Sequence, residues 1–450
     1  MQSFDLSQLL KNSSSLSFKQ QIKFVWQLSV PGILAQISSI LMQYIDAAMV
    51  GSMGAEASAS IGLVASSTWV IGSLAHAMCV VFYVQVAHLV GAGEKEKAKN
   101  VFFQSIIVCL IYSLVLAGIS SSICLELPKW LGAPQNLFHD STMYFLIFGL
   151  STPFFEVVYL MSGMLQSTGN MKFPAAMNAA MCLLDILFNW LFIFALNLGV
   201  KGAALGSAAA AFVTAFIMAI YTLRFSDYLN LNNFKNFSMS KYCVSKAIKL
   251  AVPVGLESSA FSGALVIVAR IIAPLGAVAI AANSFATTAE SLCYMPGYGV
   301  QEAASTLVGQ SYGAKRNELS KSFSTITIVA GILIMSLIGA AMYFLCPFVF
   351  QFLTPDKEIE NLATKILRIE LFAEPMFAAA IVSTGVLRGK GDTLVPSILN
   401  LISLWIVRLG LSFWLVKPFD LVGIWIAMAI ELCFRGIILL IRVLRTQKIS

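Results

Sequence analysis

Charge is what this sequence has least of. Only 11% of its 450 residues are Asp, Glu, Lys or Arg, against roughly a quarter in a soluble globular chain. Histidine occurs three times, at His76, His88 and His139, and no H-E-x-x-H or aspartate-rich stretch is present. That removes the usual helical metalloenzyme motifs, and an enzyme is not expected. The eight cysteines (Cys79, Cys109, Cys124, Cys182, Cys243, Cys293, Cys346, Cys433) are scattered through apolar runs without a C-x-x-C pair. They read as small hydrophobes, not as a disulfide or zinc framework. Gly385-x-x-x-Gly389-Lys390-Gly391 is one residue short of a phosphate loop and has no Ser or Thr after the lysine, so it is a loop and no nucleotide or other cofactor is expected. Ion gradients are the expected energy source.

Apolar surface is what the chain has in excess. Hydrophobic residues make up 58% of it, and the mean hydropathy is +0.83. No water-bathed core could hide so much apolar area, so lipid must be the solvent for much of it. Runs of 20 or more apolar residues fall near 26–52, 60–90, 101–123, 142–166, 174–196 and 202–223. Six more follow near 248–272, 280–311, 323–353, 364–387, 396–416 and 420–441. A bilayer core takes about 20 residues of helix, which predicts an all-α polytopic membrane protein of about twelve transmembrane helices. The first 24 residues are polar, and Trp26–Val50 is too long for the apolar part of a signal peptide, so no cleavable signal is expected.

The net charge of +7 does not describe a nucleic-acid face, because the basic residues sit in short gaps between apolar runs. With both termini placed in the cytoplasm, inside segments hold 21 Lys and Arg and outside segments 7, with Arg408 inside a span. Positive charge is retained on the cytoplasmic side, so both ends are expected there, in a cytoplasmic (inner) membrane.

The chain also repeats itself. An offset of 222 carries Pro31 onto Pro253, Gly54-Ala55 onto Gly276-Ala277, Gly91-Ala92 onto Gly313-Ala314 and Pro153 onto Pro375. It carries Gly163 onto Gly385, Gly169 onto Gly391, Pro174 onto Pro396 and Asn178 onto Asn400, with Gly202 meeting Gly423 after a one-residue slip. Hydrophobic bias alone does not align Gly, Pro and Asn in this way. Six spans per half make the repeats parallel. The expected organisation is two pseudo-symmetric six-helix bundles, 1–223 and 247–450, joined by a cytoplasmic linker at 224–246.

These residues carry a family resemblance. Tyr44-Ile45-Asp46-Ala47-Ala48-Met49-Val50-Gly51, followed by Gly54-Ala55, resembles the first-helix signature of the multidrug and toxic compound extrusion (MATE) family. Val308-Gly309-Gln310 with Gly313-Ala314 resembles the end of that family's eighth helix. Leu387-Arg388-Gly389-x-Gly391-Asp392-Thr393 with Pro396 resembles its loop between helices 10 and 11. The resemblance spans nearly the whole chain. It implies secondary efflux of small organic cations or drugs, exchanged for protons or sodium ions by alternating access, in a monomer held by the lipid bilayer.

A charged side chain at mid-bilayer costs at least about 2.5 kcal/mol, so those present need a reason. Asp46 stands in the first span, and an Asp in this motif is tied to coupling in the family. Asp185 is near the centre of the fifth span, with Asn189 one turn on. The family often has Asn four residues before this Asp, where this chain has Met181. A sodium ion near Asp46 and Asp185 would therefore draw a further oxygen from Asn178, Asn189 or Ser207, since hard cations take oxygen ligands. Glu257, one turn after Pro253, resembles the acid that the NorM-type branch carries in its seventh helix. The DinF-type branch relies on the N-terminal acids, and this chain has features of both. Glu374 precedes Pro375, where a helix break frees carbonyls beside a carboxylate. Arg408 must pair with an acid. Glu156, Glu290, Glu302 and Glu431 read as structural. The alternative on the same fold is a flippase or exporter of a lipid-linked or other amphipathic metabolite, which would call for several cavity arginines; only Arg270 and Arg408 are candidates.

Overall fold

A computed structural model describes residues 16–231 and 241–449; within the expected linker, residues 232–240 lie outside the described residues. Lipid cannot hydrogen-bond a backbone, so an apolar chain crossing it must satisfy every N–H and C=O within its own segment. The described residues accordingly form helices and no strand.

In the first half these are α1 Phe18–Gly51, α2 Ala55–Gly91, α3 Lys95–Ile123, α4 Gln135–Ser167, α5 Lys172–Asn189 and α6 Gly199–Phe225. In the second half they are α7 Lys241–Ile272, α8 Ala277–Gly313, α9 Asn317–Leu353, α10 Lys357–Leu371, α11 Glu374–Gly389, α12 Leu394–Ile402 and α13 Leu409–Ile449. Nine helices among the described residues pass by length and apolarity alone as membrane spans. The twelve crossings read from the sequence account for the rest. α8 carries too many polar residues to pass, and the tenth crossing is divided into α10 and α11 at Phe372 and Ala373. The eleventh and twelfth are counted as one stretch although Asp420, two residues after Pro418, leaves the helical region at φ 49°, ψ −133°.

Two compact units result, and their borders mirror each other. One comprises residues 38–231 and 241–259; the other comprises 16–37 and 260–449. The cuts fall inside α1 and α7, after residues 37 and 259, again 222 apart. Each of these long helices thus contributes its first part, with Pro31 or Pro253, to the unit that holds most of the other repeat. The packed units are therefore drawn differently from the repeats that the sequence sets off by its linker.

In the first unit α4 is the central helix, packed by α2, α3 and α6, with α5 against α6. Phe82, Phe102, Leu160, Met164 and Met218 fill its core. In the second unit α8 and α11 are central, packed by α9, α10 and α13 around Met335, Phe350, Phe377 and Trp425. There Gly32 and Gly299 let α1 and α8 approach backbone to backbone: a Cβ on Gly32 would stand 2.8 Å from the Gly299 carbonyl oxygen. Small residues serve this purpose in membranes, where helices associate by close contact. The outer surface is greasy, with Leu337, Phe344, Phe348 and Trp414 69–73% exposed. A water-soluble monomer does not carry such a surface, whereas a lipid-facing one requires it. Asp392, in the loop after α11, receives Arg442 of α13 at 2.8 and 3.1 Å, which fastens that loop to the last helix.

Candidate functional site

The first site begins on α5. Asp185 and Asn189 are four residues apart, so they share one helix face, and both are buried at 0% and 1% exposure. The Asn189 side chain donates through Nδ2 to Oδ2 of Asp185 and to Oδ1 of Asp46 on α1, each at 2.9 Å. One amide therefore holds both carboxylates, the second half-buried. Ser207 of α6 borders Asp185, and Tyr144 of α4 faces both acids. Directly after Asn189 the chain widens into a π-helical turn, Trp190–Ala195, a feature that recurs at functional sites.

Local sequence explains why the amide sits where it does. Gly206 of α6 faces it, and a Cβ there would collide with the Asn189 Oδ1. Gly202, one turn earlier, lies against the backbone of Phe192 in the π turn. The Gly202-x-x-x-Gly206 spacing thus makes the room in which α6 meets the carboxylate-bearing stretch.

The electrostatics are unbalanced. Asp46 and Asp185 act on each other directly as well as through the shared amide, and two like charges in such proximity repel. The Asp185 Oδ1 and Asn189 Oδ1 atoms are buried without a hydrogen-bond partner. A buried acceptor left unsatisfied costs about 1–3 kcal/mol. A proton or a hard cation would relieve both penalties, and the donor set is all oxygen, as a sodium ion requires. Asn178 lies two turns before Asp185, half-buried, and no hydrogen bond brings it to the pair. Of the oxygen donors expected, Asn189 and Ser207 are the two the fold delivers.

The second unit builds a different cluster. Glu290 of α8, Glu370 of α10, Glu374 of α11 and Glu431 of α13 are all buried, at 0–5% exposure. Glu431 accepts a hydrogen bond from the Ser403 hydroxyl at 2.6 Å. It also pairs with Arg435 one turn on: Nε lies 3.0 Å from Oε1, off the line a hydrogen bond needs, while Nη2 donates to Oε2 at 3.4 Å. Arg408 closes a second π turn, Ser403–Arg408, and points Nη2 at the Met428 sulfur at 2.8 Å. The acids acting on it are Glu431 first, then Glu290 and Glu370. Four carboxyls face two guanidiniums, so full ionisation leaves two negative charges in excess. Both oxygens of Glu370 and both of Glu374 lack partners, which identifies where the excess lies. Gly339 of α9 leaves space for Glu374, whose Cγ would be 3.3 Å from a Cβ there.

The remaining candidates separate from these clusters. Glu257 is half-buried on α7, in the part belonging to the first unit. Glu302 of α8 accepts from Gln36 of α1 at 3.1 Å. A cavity of about 500 Å³ lined by Tyr343, Asn361, Thr364, Lys365, Arg368, Ile369 and Phe372 includes none of the carboxylates. Glu370 escapes sequence reading because α10 is short and charged, Lys357–Leu371 with Glu358 and Glu360 at its start. Its spacing from Glu374 is the signal that could have found it. Arg435 belongs to the buried cluster, which lowers the count of basic residues expected on the cytoplasmic side from 21 to 20.

The comparisons agree with this architecture. The MatE family pattern matches twice, over residues 31–191 and 253–414, with starts 222 apart. Among relatives, the probable multidrug resistance protein NorM of Thermotoga maritima is 25% identical over 422 residues, covering 91% of this chain and 89% of its own. The NorM of Listeria monocytogenes is 26% identical, with 93% and 94% covered. Among solved structures, an outward-facing multidrug resistance MATE family transporter of the MOP superfamily superposes with a TM-score of 0.92 at 20% identity, over 100% of this chain and 99% of its own. A mutant of the Vibrio cholerae MATE transporter VcmN gives 0.91 at 17% identity, over 96% and 98%. The family pattern covers most of the chain and falls once on each repeat, so this polytopic membrane protein belongs to the MATE family, whose members are transporters and not enzymes.

Proposed function

We propose that the chain is a secondary active efflux transporter that exchanges protons or sodium ions for small organic cations or drugs by alternating access. It works as a monomer in a cytoplasmic membrane, with both termini and the 224–246 linker on the cytoplasmic side. The observation that carries this reading is the Asp46–Asn189–Asp185 bridge. A buried and a half-buried carboxylate on one amide demand a compensating cation, and a proton, a sodium ion and a cationic drug compete to be it. An amide can present either end: its N–H₂ holds ionised carboxylates, and its oxygen accepts from protonated ones. Occupancy of the pair thus changes the bonding of α1 to α5, which gives the exchange a mechanical consequence. Glu257 is assigned to cargo or cation binding on α7.

The relatives named as multidrug resistance proteins support drug-like cargo. The acidic character of both clusters supports cations. The flippase alternative is weakened because Arg408 faces acids and Met428, and Arg270 is exposed at the end of α7. The test is ethidium efflux from proteoliposomes under a proton gradient or a sodium gradient imposed separately. Uphill efflux under one of them is expected; ethidium movement indifferent to both would end the exchanger reading.

A further inference from the structure

A third group of ligating side chains gathers where neither carboxylate cluster reaches. Cys79 on α2, Cys109 on α3 and Glu156 on α4 bring two sulfurs and a carboxylate oxygen within 4.8 Å of one another. All three are buried, at 0%, 1% and 0% exposure, in the core of the first unit. Cys79 Sγ lies 3.3 Å from Glu156 Oε1 and 3.8 Å from the Glu156 main-chain oxygen. The other carboxylate oxygen, Oε2, has no hydrogen-bond partner. The phenols of Tyr112 and Tyr159 border the group, and His76 packs edge-on against Tyr159 at 5.3 Å. The titratable groups around Glu156 are thus two thiols and two phenols.

We propose that Cys79, Cys109 and Glu156 form a binding site for one thiophilic divalent cation of the zinc type, which pins α2, α3 and α4 together. Ligand chemistry selects the ion: sulfur donors suit d¹⁰ and late transition ions and are refused by sodium, magnesium and calcium. Zinc–sulfur bonds of about 2.3 Å set two tetrahedral thiolates about 3.8 Å apart, inside the spread seen here. Binding replaces the two thiol protons, which leave to solvent, by two metal–sulfur bonds, and Glu156 supplies the third donor. A phenol of Tyr112 or Tyr159, or a water, completes four-coordination. Two protons leave as one dication enters, so the net charge stays at one negative, and the Glu156 carboxylate gains a cation against it in a place where an uncompensated carboxylate is costly. Being sealed from solvent, the site acts as a clamp, separate from the exchange at Asp46 and Asp185.

The test uses the full-length protein purified from cells grown with added zinc. One zinc per chain is expected, with sulfur neighbours at about 2.3 Å in its X-ray absorption spectrum. Cobalt added to chelator-treated protein should give an intense thiolate-to-metal charge-transfer band. Cys79→Ser with Cys109→Ser should abolish that band, and Glu156→Gln should weaken cobalt binding at least ten-fold. Cys293→Ser, in the second unit, should leave it unchanged. If the double variant does not fold, Glu156→Gln and the absorption spectrum of the native protein carry the test. Wild-type protein without stoichiometric zinc and without cobalt binding would overturn the proposal. So would a sulfur-free coordination sphere, a Cys79–Cys109 disulfide, or a cobalt band that survives in a folded double variant.

Discussion

The offset that carries Pro31 onto Pro253 and Gly163 onto Gly385 carries Asp46 onto Val268, Asp185 onto Val407 and Asn189 onto Leu411. In the other direction Glu290, Glu370 and Glu374 fall on Thr68, Phe148 and Thr152, and Cys79, Cys109 and Glu156 fall on Gln301, Gly331 and Ala378. Duplication has kept several residues that bend helices or let them approach, Pro31 with Pro253 and Gly163 with Gly385 among them, though Gly32 and Gly299 fall on Val254 and Ala77, while each half has installed its own charged groups. The reason is energetic. A glycine at a crossing is useful wherever that crossing recurs, whereas a buried charge costs several kcal/mol and persists only where it is used or paired. The first unit holds two acids on one neutral amide. The second holds four acids against two guanidiniums, with Glu431 paired to Arg435 and Glu370 and Glu374 left without partners.

That difference predicts unequal responses. The largest is expected in the first unit, where Asp46→Asn or Asp185→Asn keeps the shape and removes one of the two ionisable groups. Gradient-driven efflux in proteoliposomes should fall by more than about ten-fold, a loss above about 1.4 kcal/mol, with normal folding. In the second unit Glu431→Ala should act on stability instead. It strands Arg435 and removes the main acid facing Arg408, at a cost of about 3–5 kcal/mol, read as a lower unfolding temperature in detergent. Neutralising the two excess acids, Glu370→Gln with Glu374→Gln, should raise that temperature and preserve the response to an imposed gradient. If this double variant loses coupling as completely as Asp46→Asn, the assignment of exchange to the first unit fails. Gly206→Ala should be milder, displacing the Asn189 amide and slowing efflux a few-fold while the protein still folds. The smallest perturbation is a single cysteine placed in the 224–246 linker of a variant stripped of its native cysteines, which should resist an impermeant reagent applied outside intact cells; labelling there would reverse the topology.

Much of this was legible without coordinates, for a physical reason. Span number, duplication and the break at Pro375 follow from apolar length and from residues that act on their own backbone. Asp46, Asp185 and Asn189 were legible as separate polar intrusions into apolar runs. Their union was not, because one amide bridging α1 and α5 depends on Gly206 of a third helix making room. Glu370 was lost in a short, charged helix whose polar start masks its buried end. The thiol pair was invisible because Cys79 and Cys109 are 30 residues apart on different helices. Glu290 and Glu431 read as structural; the fold sets Glu431 against Arg435 and brings Glu290 within the influence of Arg408 and Arg435.

The central claim is that a coupling cation and a cationic drug compete for the Asp46–Asp185 pair. It is tested most directly by binding, without a membrane or a gradient. A fluorescent organic cation is titrated into detergent-purified protein while proton release is followed in weak buffer and sodium displacement with a labelled ion. The account predicts that drug binding expels a proton or a sodium ion from the wild type, and that Asp46→Asn with Asp185→Asn expels neither. Equal release from wild type and double variant would contradict it.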